Sequence, residues 1–226
     1  MKLSARLAAV VEAIAYPIIA DIGCDHGYAC ISAVLSGRVI KAYACDANPG
    51  PLASAAENIR KHGLLDKIIP LQGDGLAPVR GTDTQTVIIS GLGGYQTIEI
   101  LTGLHALPDA RQLILQPMNG LPDVRKYVYD IGYAVQREQL IYDNGAYYFI
   151  FDCAPGPGEP YTVNELQCGR VAGSDTYRRY IRSEIGKCKR IIEKIDAHAA
   201  RASENRDAHA ARLAMLNDIL RGTDYV

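Results

Sequence analysis

Asp21, Asp25 and His26 crowd into the stretch IIADIGCDHGYACI, residues Ile18 to Ile31, together with Gly23 and Gly27. A plain strand-to-helix turn needs a glycine, but neither the two carboxylates nor the imidazole. Carboxylates in such a turn attract cations and accept hydroxyls, and glycine lets the backbone come close to a ligand. Asp46 follows in ACDANP, 25 residues after Asp21. A carboxylate at the end of a second strand accepts both hydroxyls of a ribose. Ala47 and Asn48 then lead to Pro49, and Asn48 or Pro49 can open a helix. Asp74 stands between Gly73 and Gly75 in LQGDGLAPV. It can take the exocyclic amine of an adenine, with the glycines giving room for the ring. Asp and Gly are ordinary turn residues, so each acid alone is weak. Three acids at three consecutive strand ends on one sheet edge carry more weight.

The ligand that suits these acids is cationic. Cys24 and Asp25 interrupt the glycines, so no G-x-G-x-x-G is present, and a pyrophosphate would meet carboxylates. S-adenosylmethionine has no phosphate; it has an ammonium, a sulfonium and a ribose diol. The alternative is that Asp21 caps the following helix, Asp25 is solvated and Gly23 only makes the turn. Further on, IISGLGGYQTI carries a loop that begins at Gly91 and leaves only Ser90, Leu92 and Tyr95 at its margins. LQPMNG offers Gln116 and Asn119 as amides at the same rim, although Gln116 reads equally as a buried residue satisfying backbone. His26 has no second histidine at ligand spacing, so no metal is expected.

Strands and helices have to position these groups. Aliphatic runs at 18–20, 39–44, 68–71, 86–89 and 113–115 are continuous rather than alternating, as in strands buried on both faces. Helical stretches lie between them at 28–36, 49–62, 95–101 and 121–131. That alternation predicts a parallel, doubly wound sheet. Two β-prone runs, 133–142 and 146–153, flank Asp143-Asn144-Gly145, a hairpin signal. The predicted class is α/β: a Rossmann-like class I methyltransferase fold, mostly parallel, ending in an antiparallel hairpin. It occupies residues 1–154 and opens with an amphipathic segment that keeps Lys2, Arg6 and Glu12 off the apolar face. APGPGEP supplies a linker at 155–160. Residues 161–226 read as a C-terminal helical coiled-coil hairpin. Its first seam runs Tyr177, Ile181, Ile185, Cys188, Ile192, Ile195 and Ala199; its second runs Leu213, Leu216 and Leu220. The turn between them is expected at 201–206.

With 226 residues, 48% of them hydrophobic, the chain can bury a sizeable core. Its net charge of −1 announces no nucleic-acid binder, but the charge is uneven. Between Thr176 and Ile195, Arg178, Arg179, Arg182, Lys187, Lys189, Arg190 and Lys194 face only Glu184 and Glu193. This is either a solvated helix face or an arm that contacts phosphates. Six cysteines form no C-x-x-C pair and read as buried thiols of a reducing, cytoplasmic protein. No apolar run is long enough to span a bilayer and nothing near the start reads as a signal peptide.

The motifs ADIGCDHGYACI, GDGL, SGLGG, LILQP and REQLIYDNGAYYFI, followed by a coiled helical C-terminus, together resemble the bacterial tRNA (adenine-22-N1)-methyltransferase family. The resemblance runs in order over nearly the whole chain. It implies transfer of a methyl from S-adenosylmethionine to N1 of adenosine 22 of tRNA, with the helical arm helping to hold the tRNA. It places Asp21 and Gly23 at the methionine end of the cofactor, Asp46 with Ala47 and Asn48 at the ribose, and Asp74 with its glycines at the adenine. Asp25 and Tyr28 would then serve catalysis and His26 the substrate side. The chain departs from the family pattern at Gly27, Ala29-Cys30, Ser90, Leu92 and Met118, all on the substrate rim. Two other classes share the motifs: a small-molecule methyltransferase, for which the basic arm would be superfluous, and a protein that binds RNA or cofactor without turnover.

Overall fold

The computed structural model describes residues 3–171, 174–197 and 203–223. The chain divides into two compact units, Met1–Tyr161 and Thr162–Val226. In the first, β1 (Ile18–Ile22), β2 (Lys41–Asp46), β3 (Ile68–Gln72), β4 (Thr86–Ser90) and β5 (Gln112–Gln116) run parallel. β6 (Tyr133–Asp143) and β7 (Ala146–Pro155) close the sheet antiparallel, in the order β3-β2-β1-β4-β5-β7-β6. Helix α1 (Ala5–Glu12) precedes β1, and α2 (Tyr28–Leu35), α3 (Pro49–Lys61), α4 (Gly94–Leu101) and α5 (Leu121–Asp130) follow β1, β2, β4 and β5 as the periodicity predicts, while only a 3-10 turn at Ala77–Val79 lies between β3 and β4.

The sheet interior follows from the aliphatic runs. Ile19, Ala42, Ala44, Ile88 and Ile114 are buried in one continuous core with Ile31, Val34 and Ile59 of the helices. Each large aliphatic side chain buried this way contributes about 1.5–3 kcal/mol. One strand departs from expectation. The aliphatic run of β3 predicts burial on both faces, yet of its five residues only Ile68 is buried. It is the sheet edge, paired with β2 alone. Pro70, which lacks a ladder N–H, belongs on such an edge. The strands also run past their aliphatic stretches, so Asp21 and Asp46 lie within β1 and β2 rather than in loops. At the other end, Pro155 of the proline-glycine run still pairs with Tyr133.

The N-terminal helix is tied down at both ends. Ser4 Oγ accepts from the Leu7 N–H, and the Arg6 N–H donates to Asp143 Oδ2 at 3.2 Å. Beyond the helix, Gln112 on β5 donates to the Ala13 carbonyl at 2.8 Å and accepts from the Ala15 N–H at 3.0 Å. α5 is fixed by a fully buried ion pair between Arg125 and Glu138, with the guanidinium 4.9 Å from the Phe149 ring centre.

The second unit contains α6 (Val163–Cys168), α7 (Asp175–Ala197) and α8 (Ser203–Thr223). α6 is an addition to the expected hairpin, although its capping box of Thr162 and Glu165 is written in the sequence as T-x-x-E. α7 and α8 pack on each other. Tyr177, Ile181, Ile185 and Cys188 are buried as the seam requires, and so is Tyr180; Ile192 and Ile195 are half-buried. Ala199 lies outside the described residues. Of the expected turn, 201 and 202 also lie outside them, whereas 203–206 belong to α8. Arg206 instead donates to Asp196 Oδ1 at 2.6 Å, linking the two helices.

Candidate active site

Parallel pairing sets the strand ends side by side: Ile22 opposite Cys45 and Ile89, Asp46 opposite Gln72, Ser90 opposite Gln116. The strand order reverses between β1 and β4, the place where an open α/β sheet leaves a crevice. A cavity of about 390 Å³ lies there. Asp21, Gly23, Asp46, Ala47, Asn48, Gly73, Asp74, Gly75 and Gly91 all line it, as do Asp25, His26 and Tyr28. These residues, from four separate stretches of the chain, thus converge on one place.

Each acid is held differently. Asp21 is 4% exposed, and no lysine or arginine pairs with it among the described residues. Burial drives its pKa from 3.8 to about 7; the Cys30 thiol, 3.8 Å away, opposes this, and Asp46 adds to it. Asp21 does not cap α2: that helix begins after Gly27, with no side-chain cap. Asp46 is gripped by backbone, its Oδ1 accepting from the Asn48 N–H at 2.9 Å and its Oδ2 from the Asp25 N–H at 3.3 Å. Asp74 is exposed on the edge-strand side of the cavity. Gly73 is required there, because a Cβ would come within 2.6 Å of Pro78 Cγ.

The turn after β1 takes left-handed backbone at Gly23, Asp25 and Gly27, with φ of 78°, 49° and 71°. Asp tolerates that region better than most residues, at some cost in strain. It leaves the Asp25 carboxylate exposed, 3.6 Å from His26 Nε2, and the His26 ring stacked on Tyr28 at 5.5 Å. Cys24 and Cys45 also line the cavity. Burial pushes both thiols up, Cys45 to about 12, so they are neutral walls rather than nucleophiles. All six cysteines are buried thiols.

The two rim amides are spent on structure. Gln116 is fully buried, and its Oε1 accepts from Arg6 Nη1 and from Ser90 Oγ at 3.3 Å. It stands behind the cavity wall, not on the rim. Asn119 Oδ1 accepts from the Gly94 N–H at 2.9 Å and so caps α4. Gly94 permits this approach, since a Cβ would meet the Asn119 carbonyl at 2.5 Å. Arg6 and Gln96 line the cavity as well, and sequence reasoning misses both. Gln96 has a signal, its place directly after the glycine loop. Arg6 has only its place off the apolar face of α1.

On α7, Arg179, Arg182, Lys189 and Arg190 are exposed, while Arg178 pairs with Asp175 at 2.6 Å and Lys187 with Glu184 at 2.7 Å. Among the described residues no group of three His, Cys, Asp or Glu gathers as a metal would need, and no helix is long and apolar enough to cross a membrane.

The donor set suits S-adenosylmethionine. A buried carboxylate that no lysine or arginine pairs with among the described residues has the chemistry to take an ammonium, a backbone-fixed carboxylate that to take a diol, and a glycine cradle beside Asp74 room for an adenine. Residues 3–151 match the family model for the methyltransferase domain. Fold, cavity and match together define an S-adenosylmethionine-dependent methyltransferase. A tRNA (adenine(22)-N(1))-methyltransferase of Bacillus subtilis is 33% identical over 176 residues, 76% of this chain and 74% of that one. The structure of M. capricolum TrmK with S-adenosyl-homocysteine matches with a TM-score of 0.88 at 25% identity, covering 99% of this chain and 100% of that one. That of Streptococcus pneumoniae Sp1610 with S-adenosyl-L-methionine matches with a TM-score of 0.86 at 27% identity, covering 97% and 100%. The chain belongs to the tRNA (adenine(22)-N(1))-methyltransferase family.

Proposed function

We propose that this chain methylates N1 of adenosine 22 in tRNA, with S-adenosylmethionine as cofactor. The observation that carries the reading is the row of carboxylates, Asp21, Asp46 and Asp74, at adjacent strand ends around one cavity. Asp21 and Gly23 take the methionine end, Asp46 with Ala47 and Asn48 the ribose, and Gly73, Asp74 and Gly75 the adenine; Gly91 leaves the reactive end open. Bound there, the cofactor supplies an electrophilic methyl on a cationic sulfur.

The protein's part is placement. Adenine N1 brings its own in-plane lone pair, so no strong base is obligatory and alignment supplies most of the acceleration. Methylation makes the base cationic. The exposed carboxylate of Asp25 faces that developing charge, a stabilisation specific to the transition state. Tyr28 and the His26 ring stacked on it offer a platform for the acceptor base. N1 lies on the Watson–Crick edge, so the base has to leave any pairing to reach the cavity. The basic residues of α7, Arg178, Arg179, Arg182, Lys187, Lys189 and Arg190, contact tRNA phosphates and set affinity rather than choice of base. Kinship with tRNA-modifying enzymes supports a cytoplasmic location.

The test is transfer of labelled methyl to two unmodified tRNA transcripts, one with adenosine and one with guanosine at position 22. Label in the adenosine transcript alone is expected. Label in both would move the target, and label in neither would overturn the tRNA assignment.

A further inference from the structure

We infer that the carboxyl edge over β4, β5 and β6 is a stacking track for RNA, on which Tyr95 and Tyr142 receive the bases beside the methylated adenine. The inference rests on tRNA being the acceptor. It starts from the way the edge divides. Over β1, β2 and β3 the edge carries Asp21, Asp46 and Asp74. The other half carries exposed apolar side chains: Tyr95 after β4, Met118 after β5 and Tyr142 near the end of β6. Asp143, which closes β6, has its Oδ2 occupied by the Arg6 N–H. One exposed apolar side chain is ordinary, but one beyond each of three strands at a single edge is a pattern. Its chemistry suits an opened RNA. Drawing N1 of an adenine out of a pair breaks the stack around it, and each flanking base is left with a bare face. An aromatic ring replaces the lost stacking partner whatever the base.

Backbone holds these rings in place. The Met118 N–H donates to the Leu92 carbonyl at 2.8 Å and Asn119 Oδ1 accepts from the Gly94 N–H, so the segments after β4 and β5 are zipped together. Tyr95 follows at once in α4. It is 80% exposed, with no hydrogen-bond or ring partner for its side chain among the described residues. Leu92 and Gln96 on either side of it line the cavity. β6 runs parallel to β5, because both run against β7, so the hairpin tip stands at the same edge. β5 last pairs with β7 at Leu115 and Phe151, whereas β6 and β7 stay paired out to Asp143 and Ala146. At about 3.4 Å per residue, the tip overhangs the end of β5 by roughly 14 Å. Asn144 and Gly145, with φ of 48° and 85°, make the tight two-residue turn that keeps such a tip rigid. There Tyr142 is 56% exposed, its ring centre 4.9 Å from that of Tyr147. Arg6 joins the tip to the cavity wall: its guanidinium lies 5.5 Å from the Tyr148 ring centre and donates to Ser90 Oγ at 3.1 Å.

The test is steady-state methyl transfer to the adenosine-22 transcript by the parent, Tyr95→Ala, Tyr142→Ala, Tyr95→Phe and Tyr142→Phe. Each alanine variant should raise KM for tRNA by about 10-fold, within the range of one stacked base, and leave kcat within about 2-fold. The Phe variants keep the ring and should stay within about 2-fold of the parent. Affinity for S-adenosylmethionine, measured by calorimetry without tRNA, should not move. The slope of log KM against log salt should not move either, because stacking releases no counterions, whereas loss of a phosphate contact flattens it. Tyr142→Val keeps β-propensity without a ring and serves if Tyr142→Ala does not fold. Parental KM in both alanine variants, in a chain that methylates the transcript, would overturn the track and leave the tRNA assignment standing. A parent that transfers no label would remove the RNA occupant together with that assignment. Lost cofactor affinity would make the rings part of the frame, and a dimer of the parent that Tyr142→Ala disperses, with KM unchanged, would give the face to a second copy; either result overturns the inference.

Discussion

At the carboxyl ends of β1 and β2, Asp21 and Asp46 are 4% and 8% exposed, and the sheet register fixes their separation. On α7, Arg179, Arg182, Lys189 and Arg190 stand in solvent and form no ion pair among the described residues. In the function proposed above both regions bind by charge, yet they are built in opposite ways. A small ligand offers a few groups at fixed positions, so its partners have to be few, rigid and desolvated, and desolvation magnifies each interaction. A tRNA backbone offers many equivalent phosphates, so its partners can be numerous and mobile, and each is worth little. Damage to the first region should therefore change which step fails. Damage to the second should change only how tightly tRNA is held.

The sharpest break of that contrast is at Asp25. Asp25→Asn keeps the volume and removes the charge. We expect kcat to fall by about 100-fold, the scale of removing one transition-state charge interaction. Affinity for S-adenosylhomocysteine, measured in a binding titration, should stay within about 2-fold, because the backbone N–H that Asp25 gives to Asp46 remains. Weakened cofactor binding with normal turnover at saturation would return Asp25 to the cofactor side and blur the contrast.

The two regions are also unequally legible in the sequence. Strand ends are readable because burial on both faces writes continuous aliphatic runs, and whatever follows such a run has to stand at the sheet edge. Asp21, Asp46 and Asp74 come out of that rule directly. What the rule cannot give is pairing across the molecule. Gln116 looks like a rim amide, and only the fold shows Arg6, 110 residues earlier, bound to it. Asn119 likewise caps a helix that begins 25 residues before it. β3 misleads because its single Pro70 is outweighed by the aliphatic residues Ile68, Ile69 and Leu71, while edge position depends on strand order. In the helical unit the seam is legible at heptad spacing. Its turn is not, since neither Gly nor Pro marks it.

A smaller effect is expected on α7. Replacing Arg179, Arg182, Lys189 and Arg190 together by Gln should raise KM for tRNA by about 10-fold at moderate salt and leave kcat within about 2-fold. The dependence of log KM on log salt should flatten by about one unit for each phosphate that the variant no longer touches. Cofactor affinity should not move. A fall in kcat with KM unchanged would mean that the arm places the acceptor base, not merely the tRNA body.

The smallest effect probes what the rigid region costs. Asp21 is buried with no lysine or arginine paired to it among the described residues, and its pKa is raised from 3.8 to about 7. Between those values the folded chain keeps a proton that the unfolded chain has released. Stability of the cofactor-free protein therefore falls as pH rises from about 4 to about 7, and the penalty is complete above that range. Asp21→Asn removes the penalty. The variant should melt about 5 °C above its parent at pH 8, and the gap should narrow by pH 5 and close near pH 4. Cofactor reverses the ranking, because an ammonium beside Asp21 favours its ionised form. S-adenosylmethionine should raise the parent's melting temperature at pH 8, raise it less at pH 6, and barely move that of the variant. A variant that melts below its parent at pH 8 would mean that the Asp21 charge is already neutralised within the empty site, so that the site does not depend on the cofactor's ammonium for it.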